Sequence, residues 1–544
     1  MTAAVTGTDT PAPSLVRDAL TVLQPGFEGT EAPEWLLRQL AEGLGAVALF
    51  ARNIESPAQL AALTAQLRAV RPDVLVAADE EGGDVTRLEA RGGSSFPGNL
   101  ALGAVDDVKL TRAVAAELGR RLAECGVNLN WAPSADVNSD PDNPVIGVRS
   151  FGADPDLVAR NTAAYVEGLQ SAGVAACVKH FPGHGDTATD SHHDMPRIDV
   201  GLETLRSREL VPFRAALAAG SKVVMSAHIL VPALDPELPA TLSPAALTGL
   251  LRAPRERGGL GHEGLIVTDG MEMQAIAGTY GIERGTVLAL VAGADAICVG
   301  GGLADEETVL ALRDAIVAAV ESGELPRERL ADAAERVRDL AAWAAAQRPG
   351  AAEGTAPGST AAAPGEAFGT ASEVGLEAAR RALRITRTDA FAPLESAPYV
   401  AAFTPVANIA VGEDTPWGVA AELERLLPGT ETGTYRAAED SSEDSAGDSA
   451  EGAPGAPEAG DAPDVAAQVL AAAGERRIVA VVRDVHRHAW MSEALAGLVA
   501  ARPDTVVVEM GVPQAPPAGA LHLATHGAAR VCGEAAAEAI VSAR

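Results

Sequence analysis

Lysine is the scarcest charged residue: Lys109, Lys179 and Lys222 are the only three among 42 basic residues, the other 39 being arginine. Against 74 acidic residues they leave a formal net charge of −32. Nucleic acid and anionic membrane surfaces both need clustered positive charge, so neither is expected as a partner. Cysteine is equally sparse. Cys125, Cys177, Cys298 and Cys532 lie far apart with no CxxC spacing, which excludes a disulfide framework or a cysteine zinc site and reads as buried thiols in a reducing compartment. No apolar run approaches the roughly 20 residues that cross a bilayer. Residues 1–30 hold no basic stretch followed by an apolar one, so no secretory signal is expected. These absences together predict a soluble, cytoplasmic protein; they leave its oligomeric state unread. The bias towards arginine, with 55 glycines and abundant alanine, reflects GC-rich coding, and it makes a lysine inside a motif worth notice.

What is present is a large apolar stock. Of 544 residues, 47% are hydrophobic. At about 150 residues per domain the length predicts two to four domains, or one large barrel with a smaller companion. Two low-complexity stretches divide the chain. Residues 348–372 are rich in Ala, Gly and Pro and read as a flexible linker. Residues 439–464 carry nine acidic and no basic residues and read as a disordered acidic insertion, because such a segment cannot bury enough apolar surface to order itself. The predicted layout is a catalytic domain over 1–347, the linker, and a C-terminal α/β domain over 373–544 that contains the insertion.

Seven short apolar strands precede the linker: 44–50, 74–79, 127–132, 175–180, 222–228, 264–269 and 295–300. Most are continuous apolar runs, the pattern of a parallel sheet covered on both faces. Helical patterns such as 111–125 and 157–173 fall between them. Repeated β–α units over this length predict a (β/α)8 TIM-like barrel, with an eighth strand unassigned, followed by a smaller α/β sandwich domain. The sandwich offers strands at PYVAAFT, RIVAVVRD, TVVVEMG and ALHLATH.

Several barrel strands end in polar residues: Asp79, Lys179 and His180, His228, and Asp269. A strand end also becomes polar simply by reaching solvent. Several such ends on one rim, two of them carboxylates, instead suggest the site that barrels carry at their C-terminal face. The densest cluster is Lys179–Pro196, KHFPGHGDTATDSHHDMP, with four histidines and three aspartates in eighteen residues. Its glycines and prolines force a loop. Three readings stand side by side: a metal site from His180, His184, Asp186, Asp190, His192 and Asp194; an acid/base pair in which Asp190 orients His192; or a hydrogen-bonded plug without chemistry.

That loop resembles the signature of the NagZ-type branch of glycoside hydrolase family 3, the β-N-acetylglucosaminidases. Segments 49–68, 77–88, 128–152, 223–235 and 264–273 resemble other motifs of the family in order and spacing, so the likeness covers about residues 15–345. It implies a (β/α) barrel, often with a second α/β domain, and no metal or other cofactor. It implies Asp269 as the nucleophile that forms a covalent glycosyl-enzyme with retention of configuration, and His192, oriented by Asp190, as general acid and then base. Asp79, Arg149, Lys179 and His180 fall where the family binds sugar hydroxyls and the acetamido group. Asn130 and His228 read as supports. Trp131 suits either a sugar face or the core. One departure inverts a charge: the family pattern D-Q-E-G-G-R-V is DEEGGDV here, with Glu80 and Asp84. The implied function is exo-hydrolysis of terminal β-GlcNAc from muropeptides or chitin-derived saccharides. The alternatives are a phosphorylase that uses phosphate as acceptor, a metallohydrolase built on the His/Asp loop, and a non-catalytic sugar-binding relative.

Overall fold

The computed structural model describes residues 13–187, 195–302, 305–348, 372–405, 415–437 and 464–542. Most of the linker expected over 348–372, and all but the last residue of the acidic insertion expected over 439–464, lie outside the described residues. Two compact units result. The first comprises Met1–Glu80, Thr111–Val137 and Asp154–Phe368, and the second Glu81–Leu110, Asn138–Ala153 and Gly369–Arg544.

The first unit holds eight short strands: β1 (Leu23–Pro25), β2 (Ala46–Leu49), β3 (Leu75–Ala78), β4 (Leu129–Asn130), β5 (Ala175–Phe181), β6 (Val223–Ser226), β7 (Leu265–Thr268) and β8 (Ile297–Val299). Strands β2 to β7 form one sheet in chain order, with every neighbouring pair parallel. β8 pairs in parallel with β1 and meets β7 through a parallel bridge between Val267 and Ala296. β2 begins against the residue that leads into β1: a Cβ on Gly45 would sit 2.1 Å from the Thr21 carbonyl oxygen, so only glycine fits there. The result is the expected (β/α)8 barrel, with the seven expected strands in place. The eighth is β1, three residues that include Gln24 and Pro25 and lack the apolar run that marks the others.

Period-two alternation sends one set of side chains inward. Ala46, Ala48, Ala77 and Ala175 leave room for Trp131 and Met225, and all belong to one buried cluster. Small residues opposite large ones fill a barrel in layers. Trp131 is therefore core, 2% exposed. Val337, Leu340, Ala341 and Ala344 of helix Arg327–Ala346 join the same cluster. Arg336 of that helix bonds the Glu263 carbonyl just before β7, and Lys222, just before β6, holds its ammonium 5.4 Å over the Trp343 ring. The helix thus plugs the N-terminal mouth and leaves the chemistry to the opposite rim.

The second unit is built on a six-stranded sheet of β9 (Arg384–Arg387), β10 (Tyr399–Phe403), β11 (Glu431–Tyr435), β12 (Ile478–Val482), β13 (Val506–Glu509) and β14 (Leu521–Ala524), in the order β11-β10-β12-β13-β14-β9. β9 alone runs antiparallel to its neighbour. One face buries Val479, Val481, Val506 and Val508 against helix Arg530–Val541. The other buries Ala401, Ile478, Ala480 and Val482 against helices Val465–Ala473 and Ala489–Ala501. This is the α/β sandwich expected, with the four expected strands central and β9 and β11 added at the edges.

Two segments that follow β3 and β4 in the chain fold into this second unit. Asp84 pairs with Arg483, just beyond β12, at 2.5 Å, and its other oxygen accepts from the Ala528 amide at 2.7 Å. Arg530 donates to Ser95 at 2.7 Å, and His486 bonds the Pro141 carbonyl at 3.0 Å. The inverted charge at position 84 is thus answered by a buried guanidinium. Burial works to lower the Arg483 pKa, but the carboxylates of Asp84, Asp484 and Glu509 outweigh it and raise the value.

Candidate active site

The C-terminal ends of the barrel strands carry a set of polar groups held by one another. β5 continues through Lys179 and His180 to Phe181, and its side chains are buried throughout. Lys179 Nζ lies 2.6 Å from Asp79 Oδ1, with the two side chains 2% and 18% exposed. An ammonium so enclosed needs the carboxylate as its counter-charge. The chain just after Asp79 is stapled by Asn130, whose Oδ1 accepts from the Glu80 amide at 2.9 Å and whose Nδ2 donates to the Glu80 carbonyl at 2.7 Å. Asn130 therefore acts as a support.

His180 Nδ1 lies 2.7 Å from Asp136 Oδ2, and Asp136 is fully buried. Its Oδ1 also accepts from the amides of His180 and His184 at 3.1 and 2.7 Å, and Ser134 donates to Oδ2 at 2.9 Å. Burial alone would raise this carboxyl, but its hydrogen bonds and electrostatic interaction with His180, with His184 adding to them, overcome it and hold it at about 2. Asp136 is the residue that sequence reasoning missed. It sits inside the segment Asn128–Gly152 that resembles the family, in a turn beyond a strand of two residues, so no strand-end pattern pointed to it. The His184 ring, edge-on to His180 at 6.0 Å, is pushed down to about 4 by burial and by the neighbouring imidazole.

Asp269 follows β7 and is half-buried, whereas Val267 and Thr268 before it are fully buried. Its amide donates to the Ser226 carbonyl at 3.1 Å, which ties it to the end of β6. Its Oδ1 accepts from the Gly270 amide at 2.8 Å. His228 fixes the next peptide, Nε2 meeting the Gly270 carbonyl and Nδ1 the Thr241 hydroxyl, each at 2.9 Å. His228 thus also acts as a support. Beneath the rim the thiols of Cys177 and Cys298 are pushed up, chiefly by burial, and the charges of both Asp79 and Asp269 act on each. Glu272, three residues past Asp269, accepts from the Gly300 amide at 3.2 Å, and burial raises its carboxyl.

Residues 188–194, and with them Asp190, His192, His193 and Asp194, lie outside the described residues. The stem of that loop is described, and it is clasped. Arg208 pairs with Asp186 and, at 2.5 Å through Nε, with the buried Glu209. Glu209 fills the space over Gly183: a Cβ there would lie 2.8 Å from Glu209 Oε2, and the φ of +126° favours glycine as well. Burial pushes the Glu209 carboxyl up to about 7, while the Arg208 guanidinium pulls the other way. A folded-state value above the ordinary 4.5 means that the contribution to stability is whole below 4.5 and is lost as pH rises through about 7. Glu209→Gln, which mimics the protonated form, should therefore gain stability relative to the parent between pH 5 and pH 8. A melting-temperature difference that stays constant across that range would contradict it.

Arg149 belongs to the second unit. There its Nη2 and Nε fork onto the two oxygens of Glu81 at 2.7 and 3.1 Å, with both side chains buried. Such a fork fixes the guanidinium plane. Among the described residues, no group of three or more His, Cys, Asp or Glu side chains is placed to hold a metal ion, and no helix is long and apolar enough to cross a membrane.

The chain is similar to proteins already known. Residues 25–340 match the model of the glycosyl hydrolase family 3 N terminal domain. Beta-hexosaminidase A of Pseudoalteromonas piscicida is 34% identical over 353 residues, which cover 60% of this chain and 56% of that protein. The beta-hexosaminidase of Chromobacterium violaceum is 37% identical over 305 residues, 55% of this chain and 83% of that one. The solved structure of a glycoside hydrolase family 3 beta-N-acetylglucosaminidase from Paenibacillus sp. str. FPU-7 superposes with a TM-score of 0.80 at 33% identity, and covers 97% of this chain and 96% of its own.

Proposed function

The chain belongs to glycosyl hydrolase family 3, and from that premise we propose that it is a retaining exo-β-N-acetylglucosaminidase acting on terminal β-GlcNAc of cell-wall muropeptides or chitin-derived saccharides. The observation that carries the reading is Asp269: a half-buried carboxylate at the end of β7, pinned to β6 through its amide. A nucleophile held in this way attacks the anomeric carbon without first having to be ordered.

Asp79, Lys179 and His180 hold the sugar through its hydroxyls and acetamido group. His192, oriented by Asp190, gives its proton to the glycosidic oxygen as Asp269 attacks, and the aglycone leaves. The neutral imidazole then takes a proton from water as that water attacks the glycosyl-enzyme. Two displacements restore the β configuration. A histidine suits both steps because its pKa lies near working pH. No metal or other cofactor enters. The four thiols, all free and buried, suit a reducing, cytoplasmic compartment.

NMR of the product formed from p-nitrophenyl β-GlcNAc, with and without phosphate, tests substrate, stereochemistry and acceptor together. Free β-GlcNAc in both conditions is the expected outcome. GlcNAc 1-phosphate formed only with phosphate would make the enzyme a phosphorylase, and α-GlcNAc as first product would end the retaining mechanism.

A further inference from the structure

We infer that Asp136 is a positioning residue that decides which ring nitrogen of His180 carries the proton, and so makes His180 Nε2 an acceptor for a sugar hydroxyl. The inference rests on the proposed role of His180 in holding the sugar. Its own support is the donor inventory around one carboxylate. Asp136 is fully buried and lies within hydrogen-bond distance of four groups: the His180 amide at 3.1 Å, the His184 amide at 2.7 Å, the Ser134 hydroxyl at 2.9 Å and His180 Nδ1 at 2.7 Å. Amides can only donate. An ionised carboxylate can only accept. Nδ1 must therefore carry its hydrogen towards Asp136, and in the neutral ring Nε2 is left with a lone pair. A hydroxyl meeting that nitrogen has to be the donor.

The logic is that of the carboxylate in a Ser-His-Asp triad, which holds an imidazole in one tautomer without taking its proton. Here the fixed ring serves recognition. Lys179, the residue before it, presents only donors. The β5 end thus offers the sugar an acceptor beside a cation, and this sorts hydroxyls by which atom donates. A ligand with an ether or a fluorine in place of that hydroxyl has no hydrogen to give and loses the bond.

Asp136→Asn separates this role from a merely structural one. Asparagine keeps the shape. Its oxygen serves the two amides on the Oδ1 side, which leaves the NH2 facing His180 Nδ1. Nδ1 must then accept, and the hydrogen moves to Nε2. Nitrogen-15 NMR of the neutral ring should show Nδ1 protonated in the parent and Nε2 protonated in the variant. KM for an aryl β-GlcNAc should rise about 10- to 100-fold, the cost of one bond lost to a group left unpaired, with little change in melting temperature. In a panel of mono-deoxy aryl glycosides, one member should be cleaved equally by parent and variant, and the variant's penalty should vanish in a His180→Ala background. An unchanged tautomer, an unchanged KM, or a penalty that survives His180→Ala would overturn the inference. A parent enzyme that releases no GlcNAc would instead overturn the proposed function, and the NMR measurement, which needs no turnover, keeps the two failures apart.

Discussion

Asp269→Asn should abolish turnover of aryl β-GlcNAc, with kcat/KM falling on the order of 10⁴-fold or more, while the fold stays intact. The size of the loss follows from the role. An amide has no charge with which to form the glycosyl-enzyme, and among the described residues the two nearby carboxylates are otherwise engaged: Asp79 is committed to Lys179 at 2.6 Å, and Glu272 is turned to the amide of Gly300. The fold should tolerate the change because the link from residue 269 to β6 is made by its main-chain amide, bonded to the Ser226 carbonyl at 3.1 Å. The Asp269 side chain also accepts from the Gly270 amide at 2.8 Å, and an asparagine oxygen can take that bond. A glycine at the same position opens space for a small anion, and azide should then restore turnover and yield the α-glycosyl azide, the single-displacement product of an enzyme that normally uses two. Activity within tenfold of the parent in Asp269→Asn would remove Asp269 as nucleophile.

Lys179→Met carries the second large effect, a loss on the order of 10²- to 10³-fold in kcat/KM, expressed mainly in KM. Methionine matches the length of the stem and removes the charge. Asp79 is then left 18% exposed without the ammonium that met it. A carboxylate that loses a cationic partner is held less firmly in place, and that weakens it as an acceptor of sugar hydroxyls. Lys179→Arg should fail almost as badly. The site encloses a compact ammonium that is 2% exposed, and a planar fork needs more room and directs its hydrogens differently. In a chain that uses arginine for 39 of its 42 basic residues, a position that keeps lysine is one where the fork does not serve. Parent-like KM and kcat in Lys179→Arg would show that charge alone is needed.

The barrel was legible wherever burial on both faces wrote an apolar run. β5, β6 and β7 are such runs, fully buried. β1 escaped because Gln24 and Pro25 interrupt a strand of three residues. β9 and β11 escaped for the opposite reason: edge strands with exposed side chains, Arg384–Arg387 and Glu431–Tyr435, have no need to be apolar. At the site, residues at strand ends stood out, because a charge after a buried run is conspicuous. Asp136 did not, since its meaning lies in a partner 44 positions away. Neither did Glu81, whose role depends on Arg149 at a separation of 68. Pairings of that kind are set by topology, which local pattern does not encode. The same holds for the inverted charge at Asp84, whose partner Arg483 lies far along the chain.

That pairing also bears on how the chain is made. Asp84 bonds the amide of Ala528, 444 residues further on, and Ser95 bonds Arg530 across 435. A ribosome adds about 5 to 20 residues per second, so the early segment waits roughly 20 to 90 s for the partners that complete it. During that interval the strands on either side can pair locally, and the segment between them can meet Arg149 through Glu81 but not Ala528 or Arg530. The second unit therefore closes only after residues 528 and 530 have been made.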